Sequence, residues 1–98
     1  MTQIERIRHY EALLDRLILI NGEMENALEN FRAQLEPMRE LDAYYGSEEW
    51  RQDLADDEAG KLPKELRRGV LSEDAAFNAL TDYRRLRAEM LYTVADAL

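Results

Sequence analysis

The sequence predicts an all-α fold. A long N-terminal helix, kinked near Pro37, packs against a C-terminal helix with one or two short helices between, as a helical hairpin or bundle. Three observations carry this. Ile7, Leu14, Asn21, Leu28 and Leu35 alternate three and four residues apart with Tyr10, Leu17, Met24, Phe31, Met38 and Tyr45. A spacing averaging 3.5 over more than five heptads is that of a coiled-coil seam, one long helix with a helical partner along its length. A second apolar stripe, from Ala76 through Leu80, Leu86 and Met90 to Leu98, recurs at helical spacing after a complete start signal. Between the two lie Gly46, Gly60, Pro63 and Gly69, which punctuate short pieces.

The first helix opens near Thr2, whose hydroxyl caps it, with Glu5 three residues on completing a capping box. Pro37 removes one backbone donor and crowds the carbonyl a turn earlier. Because Met38 and Tyr45 keep the seam in phase beyond it, a kink is favoured over a break. Tyr45-Gly46-Ser47 then stops the helix. Gly46 suits a left-handed C-terminal position, and Ser47 caps a second helix over about Glu48–Glu58, with Glu48 and Glu49 at its positive end. Gly60 ends that helix. Pro63 suits the first turn of a further short helical piece through Arg68, which Gly69 terminates. Leu71 as staple, Ser72 as cap and Glu73 and Asp74 in the first turn start the last helix.

At 98 residues the chain is expected to form a single helical domain, 1–98, with a modest core. The 13 Lys and Arg against 21 Asp and Glu leave a net charge of -8. An acidic surface repels phosphate backbones and anionic membranes, so neither nucleic acid nor a membrane is an expected partner. The basic run Tyr83-Arg84-Arg85-Leu86-Arg87 does not reverse this, since its arginines face differently and have acidic neighbours. There is no cysteine, which excludes disulfides and thiolate chemistry. No apolar run approaches the roughly 20 residues of a membrane helix, and the charged N-terminus lacks a signal-peptide core, so the expected location is the cytoplasm.

The lengths of the helices point to self-association. At about 1.5 Å per residue, Gln3–Tyr45 spans roughly 60 to 65 Å and Glu73–Ala97 only about 35 to 40 Å. Part of the first helix is then left without an intrachain partner, and Leu17, Ile18, Leu19 and Ile20 are apolar on every side of one turn. With Leu13 they are expected to sit in a homodimer interface, two-fold and antiparallel or a four-helix core, with the seam amide of Asn21 specifying register.

Candidates for chemistry are sparse. Asp53, Asp56 and Asp57, in the acidic stretch Glu48–Glu58, are weak cation candidates. DLADDEAGKLPKE superficially resembles a calcium loop, but with Gly60 at the glycine position Ala55 and Ala59 stand where carboxylates should be. A solvated acidic face, partly neutralised by Lys61, Lys64, Arg67 and Arg68, is the favoured account. His9, the only histidine, has no second strong ligand beside it. No phosphate-cradling loop, serine elbow or zinc helix occurs, so no catalytic residue and no cofactor is assigned.

Tyr44 to Asp74, YYGSEEWRQDLADDEAGKLPKELRRGVLSED, resembles the domain of unknown function 4298 family of small bacterial helical proteins. The paired tyrosines followed by Ser47 and Trp50, the Asp-rich helix and Arg68-Gly69-Val70-Leu71-Ser72-Glu73-Asp74 carry the resemblance. It implies a bacterial, cytoplasmic, helical protein and brings no activity, cofactor or catalytic residue. Read from the residues, Tyr44, Tyr45, Trp50, Val70 and Leu71 cluster where the short segments fold over the bend. Alternatively, Tyr44, Tyr45, Trp50 and Arg68 form a recognition patch, being residue types that dominate interaction hot spots. The function expected is that of a self-associating protein-protein interaction or regulatory module. The alternatives are an acidic mimic or cation-dependent regulator that occupies a basic site on a partner, and an unrecognised enzyme.

Overall fold

A computed structural model describes residues 1–98. Three α-helices and one 3-10 turn follow in order: α1 Gln3–Tyr44, α2 Glu48–Glu58, the turn Gly69–Leu71 and α3 Glu73–Ala97. The chain divides into two compact units, Met1–Met38 and Arg39–Leu98.

The first unit is helix from Gln3 onward, and α1 runs through Pro37 without a break. Its start is capped as the sequence predicts, the Glu5 amide donating to Thr2 Oγ1 at 3.1 Å. No residue of α1 is buried. Every side chain from Met1 to Asn30 is exposed, and Phe31, Leu35 and Met38 are half-buried.

The second unit holds the core: Trp50 on α2, Leu71 on the 3-10 turn and Leu80 on α3. Its turns close through specific caps. Gly46 adopts φ +83° between α1 and α2, and Ser47 Oγ accepts from the Trp50 amide at 3.2 Å. At the other end of α2, Gly60 takes φ +72°. The Gly60 amide donates to the Asp57 carbonyl at 3.0 Å and the Lys61 amide to the Asp56 carbonyl at 2.9 Å. This paired arrangement satisfies the last carbonyls of the helix. Ser72 caps α3, accepting from the Ala75 amide at 3.2 Å.

One predicted element is corrected. Pro63 to Arg68 is not a helical piece: it is turn and irregular backbone, with one local bond from the Leu66 amide to the Pro63 carbonyl at 3.2 Å. Six residues fix many dihedrals for few hydrogen bonds, and the only large apolar side chain after Pro63, Leu66, stays 49% exposed and anchors nothing. Gly69 accordingly does not end a helix but opens the 3-10 turn, in which the Leu71 amide donates to the Arg68 carbonyl at 3.0 Å and the Ser72 amide to the Gly69 carbonyl at 3.1 Å.

Candidate functional site

Two groups of residues compete for a functional role, one in each unit. In the second unit, Ser47 fixes the first turn of α2 so that Trp50 points into the core, 9% exposed. Its indole Nε1 donates to the Val70 carbonyl at 2.9 Å, and its ring lies 4.9 Å from that of Tyr45. Tyr44 OH donates to Asp53 Oδ2 at 2.6 Å. That bond, with burial and the negative charges of Asp53 and Glu49, pushes the Tyr44 phenol up to about 12. Arg68 Nη1 donates to Asp57 Oδ1 at 2.5 Å, with both side chains partly exposed. Tyr44, Tyr45, Trp50 and Arg68 are therefore brought together in one unit, and every one of them has a partner within the chain. Trp50 is buried and hydrogen-bonded, as a packing residue is.

The three carboxylates considered for a cation are engaged in the same way. Asp53 holds Tyr44 and Asp57 holds Arg68, while Asp56 accepts from Gln52 Nε2 at 3.0 Å and lies 3.9 Å from Lys61 Nζ. No group of three or more His, Cys, Asp or Glu is placed to hold a metal ion. The His9 and Tyr10 rings pack in a T-shaped arrangement, their centroids 5.0 Å apart. The arginines of α3 are also spoken for: Arg84 reaches Asp42 at 2.9 Å, Arg85 contacts Asp82 at 3.6 Å and Glu89 at 3.0 Å, and Arg87 stacks 4.3 Å above the Tyr83 ring.

Sequence reasoning missed a shallow apolar hollow of about 390 Å³ lined by Leu41, Arg67, Gly69, Val70, Ala76 and Leu80. Its only sequence signal was the run of small residues Ala75, Ala76 and Ala79. It offers no acid, base or nucleophile.

The candidates of the first unit are of a different kind. Leu13, Ile18, Leu19 and Ile20 are 38%, 62%, 63% and 47% exposed, and Asn21 is exposed beside them. The seam residues Leu14, Leu17, Met24 and Leu28 are exposed as well. Scattered surface leucines are ordinary, but a continuous apolar stripe on one helix is not. No helix is long and apolar enough to cross a membrane.

An all-α protein with a small capped core and a long helix whose apolar seam is uncovered is the class these features define. The chain belongs to the family described as Domain of unknown function (DUF4298), whose model matches residues 7–93. No curated protein and no solved structure matches it.

Proposed function

We propose that this member of the DUF4298 family is a protein-protein interaction module that self-associates through α1. The observation that carries this reading is the exposure of the whole α1 seam from Ile7 to Leu28, a surface whose burial stabilises at about 25 cal/mol per Å² only when another helix covers it. The acidic-mimic alternative has less support, because Asp53, Asp56 and Asp57 are each engaged by a donor or cation of the chain itself.

Sedimentation equilibrium over a wide concentration range tests the reading. The native chain is expected to show a mass above 11.5 kDa that falls on dilution. Leu17→Asp, which places a carboxylate in the seam, is expected to return it to the monomer. A native chain that stays monomeric throughout overturns the proposal.

A further inference from the structure

We infer that the occupant of the α1 seam is a second copy of this chain running antiparallel, with the two-fold axis between Gly22 and Glu23. The inference rests on the self-association proposed above and adds its direction and register.

Exposure comes first. α1 buries none of its 42 residues, and its large apolar side chains from Ile4 to Leu28 all lie exposed, a stripe about 36 Å long that a second helix can cover.

Charge sets the direction. Residues 1–22 carry three acids (Glu5, Glu11, Asp15) and three bases (Arg6, Arg8, Arg16). Residues 23–44 carry six acids (Glu23, Glu25, Glu29, Glu36, Glu40, Asp42) and two bases (Arg32, Arg39), a balance of -4. A parallel pair in register sets that acidic half against its own copy. An antiparallel pair about residues 22 and 23 sets it against the neutral half, and juxtaposed like charges are what disfavour the wrong arrangement.

The seam then sets the register. In an antiparallel pair the two alternating seam positions face each other. When facing residue numbers add to 45, Leu17 meets Leu28, Leu14 meets Phe31, and Asn21 meets Met24, each from the other copy. The two Asn21 side chains fall in adjacent layers, about 4.5 Å apart along the axis, where one amide reaches the other. Shifting by one heptad in either direction moves them farther apart, to about 6 or 15 Å. The flanks agree. Ile20 comes beside Ala27, large against small, and Leu13 beside Gln34, whose two methylenes cover an apolar neighbour while its amide stays in water. On the other flank Glu11 comes beside Arg32, and Ile18 beside Glu25, whose methylenes can lie along the isoleucine while its carboxylate stays in water.

The chain has no cysteine, so single cysteines report the geometry directly. Leu17→Cys and Leu28→Cys chains, mixed and oxidised, are expected to form the mixed disulfide. Neither alone is expected to pair with itself, because like positions lie about 16 Å apart along the axis and a disulfide needs Cα atoms within about 7 Å. Self-pairing at both positions means a parallel dimer, which overturns the inference and leaves self-association standing. A native dimer without the mixed disulfide overturns the register. A native monomer by sedimentation overturns both. Exposed Glu11 and Arg32 supply a second test that spares packing: Glu11→Arg is expected to weaken the dimer about fivefold through its two symmetric pairs, and adding Arg32→Glu to restore it. Failure of that restoration also counts against the register.

Discussion

Trp50→Phe isolates the indole hydrogen bond that ties α2 to the 3-10 turn before α3. Phenylalanine keeps an aromatic ring beside Tyr45 but has no donor for the Val70 carbonyl, now 2.9 Å from Nε1. A lost hydrogen bond of this kind costs about 1 kcal/mol, and Val70 is 44% exposed, so water can reach the freed carbonyl and holds the cost near that value. Removing part of a side chain that is only 9% exposed leaves a void worth about 1 kcal/mol more, a fraction of the 3 to 5 kcal/mol typical of full truncation to alanine. The sum, about 2 kcal/mol, corresponds to roughly thirtyfold faster amide exchange where the segment opens as a unit. Hydrogen exchange over α2 is the assay, because it reads the second unit without mixing in α1. Trp50→Ala is expected to remove protection from α2 altogether. If Trp50→Phe changes exchange in α2 by less than about threefold, neither the indole bond nor its burial holds this unit together.

Other outcomes follow from the same geometry. Tyr44 ionises near 12 rather than 10.0 because its hydroxyl donates to Asp53. The folded state therefore binds this proton more tightly than the unfolded one, a stabilisation fully present below pH 10 and lost as pH rises through 12. Asp53→Asn should lower the Tyr44 transition in tyrosinate absorbance, and an unchanged transition would refute the assignment. Glycine to alanine should act in opposite directions at two sites. At Gly60, with φ +72°, it should destabilise by about 1 kcal/mol, while at Gly22, inside α1 with nothing within 4 Å of the added carbon, it should stabilise by about as much. Thermal melts at fixed concentration check both signs. In the proposed antiparallel register Leu19 takes the outward heptad position, unlike the girdle expected from the sequence, so Leu19→Asp should change the dimer dissociation constant far less than Leu17→Asp. Equal effects would mean that the girdle Leu17–Ile20 is covered from more than one side.

What was legible in the sequence was what local chemistry decides. Ser47, Ser72 and Thr2 cap helices from positions where their hydroxyls have amides to accept from three residues on. Gly46 and Gly60 hold positive φ where the chain reverses. The pairing of the acidic helix with downstream bases was readable too, since Arg68 and Lys61 reach Asp57 and Asp56. The segment Pro63–Arg68 was not: proline and glycine at its ends mimic helix punctuation, but between them no apolar face exists to dock, and punctuation without burial does not make a helix. Nor could the Trp50 contact be foreseen, because its acceptor is a backbone carbonyl whose identity no side chain encodes. The clustering of Tyr45, Trp50 and the Val70–Leu71 turn was foreseeable from residue type, and the burial of Trp50 favours its packing role.

Under the proposed self-association, the distribution of burial ties assembly to folding. The second unit contains all three buried residues of the chain, Trp50, Leu71 and Leu80, whereas residues 1–30 contain none. Backbone hydrogen bonds and propensity alone leave a helix with a weak hold on its ends, since most helical stability in proteins comes from packing an apolar face. The stretch from Ile4 to Leu28 has such a face and no cover for it, and Gly22 at its middle lowers its intrinsic stability further. If a second copy supplies the missing burial, as proposed above, the stability of this half becomes a function of concentration. Dilution should then loosen residues 1–30 while leaving the α2 amides protected, and exchange measured at two concentrations separates the halves. Loss of protection in both halves together would mean that the second unit also depends on the partner and that its three-residue core does not stand by itself.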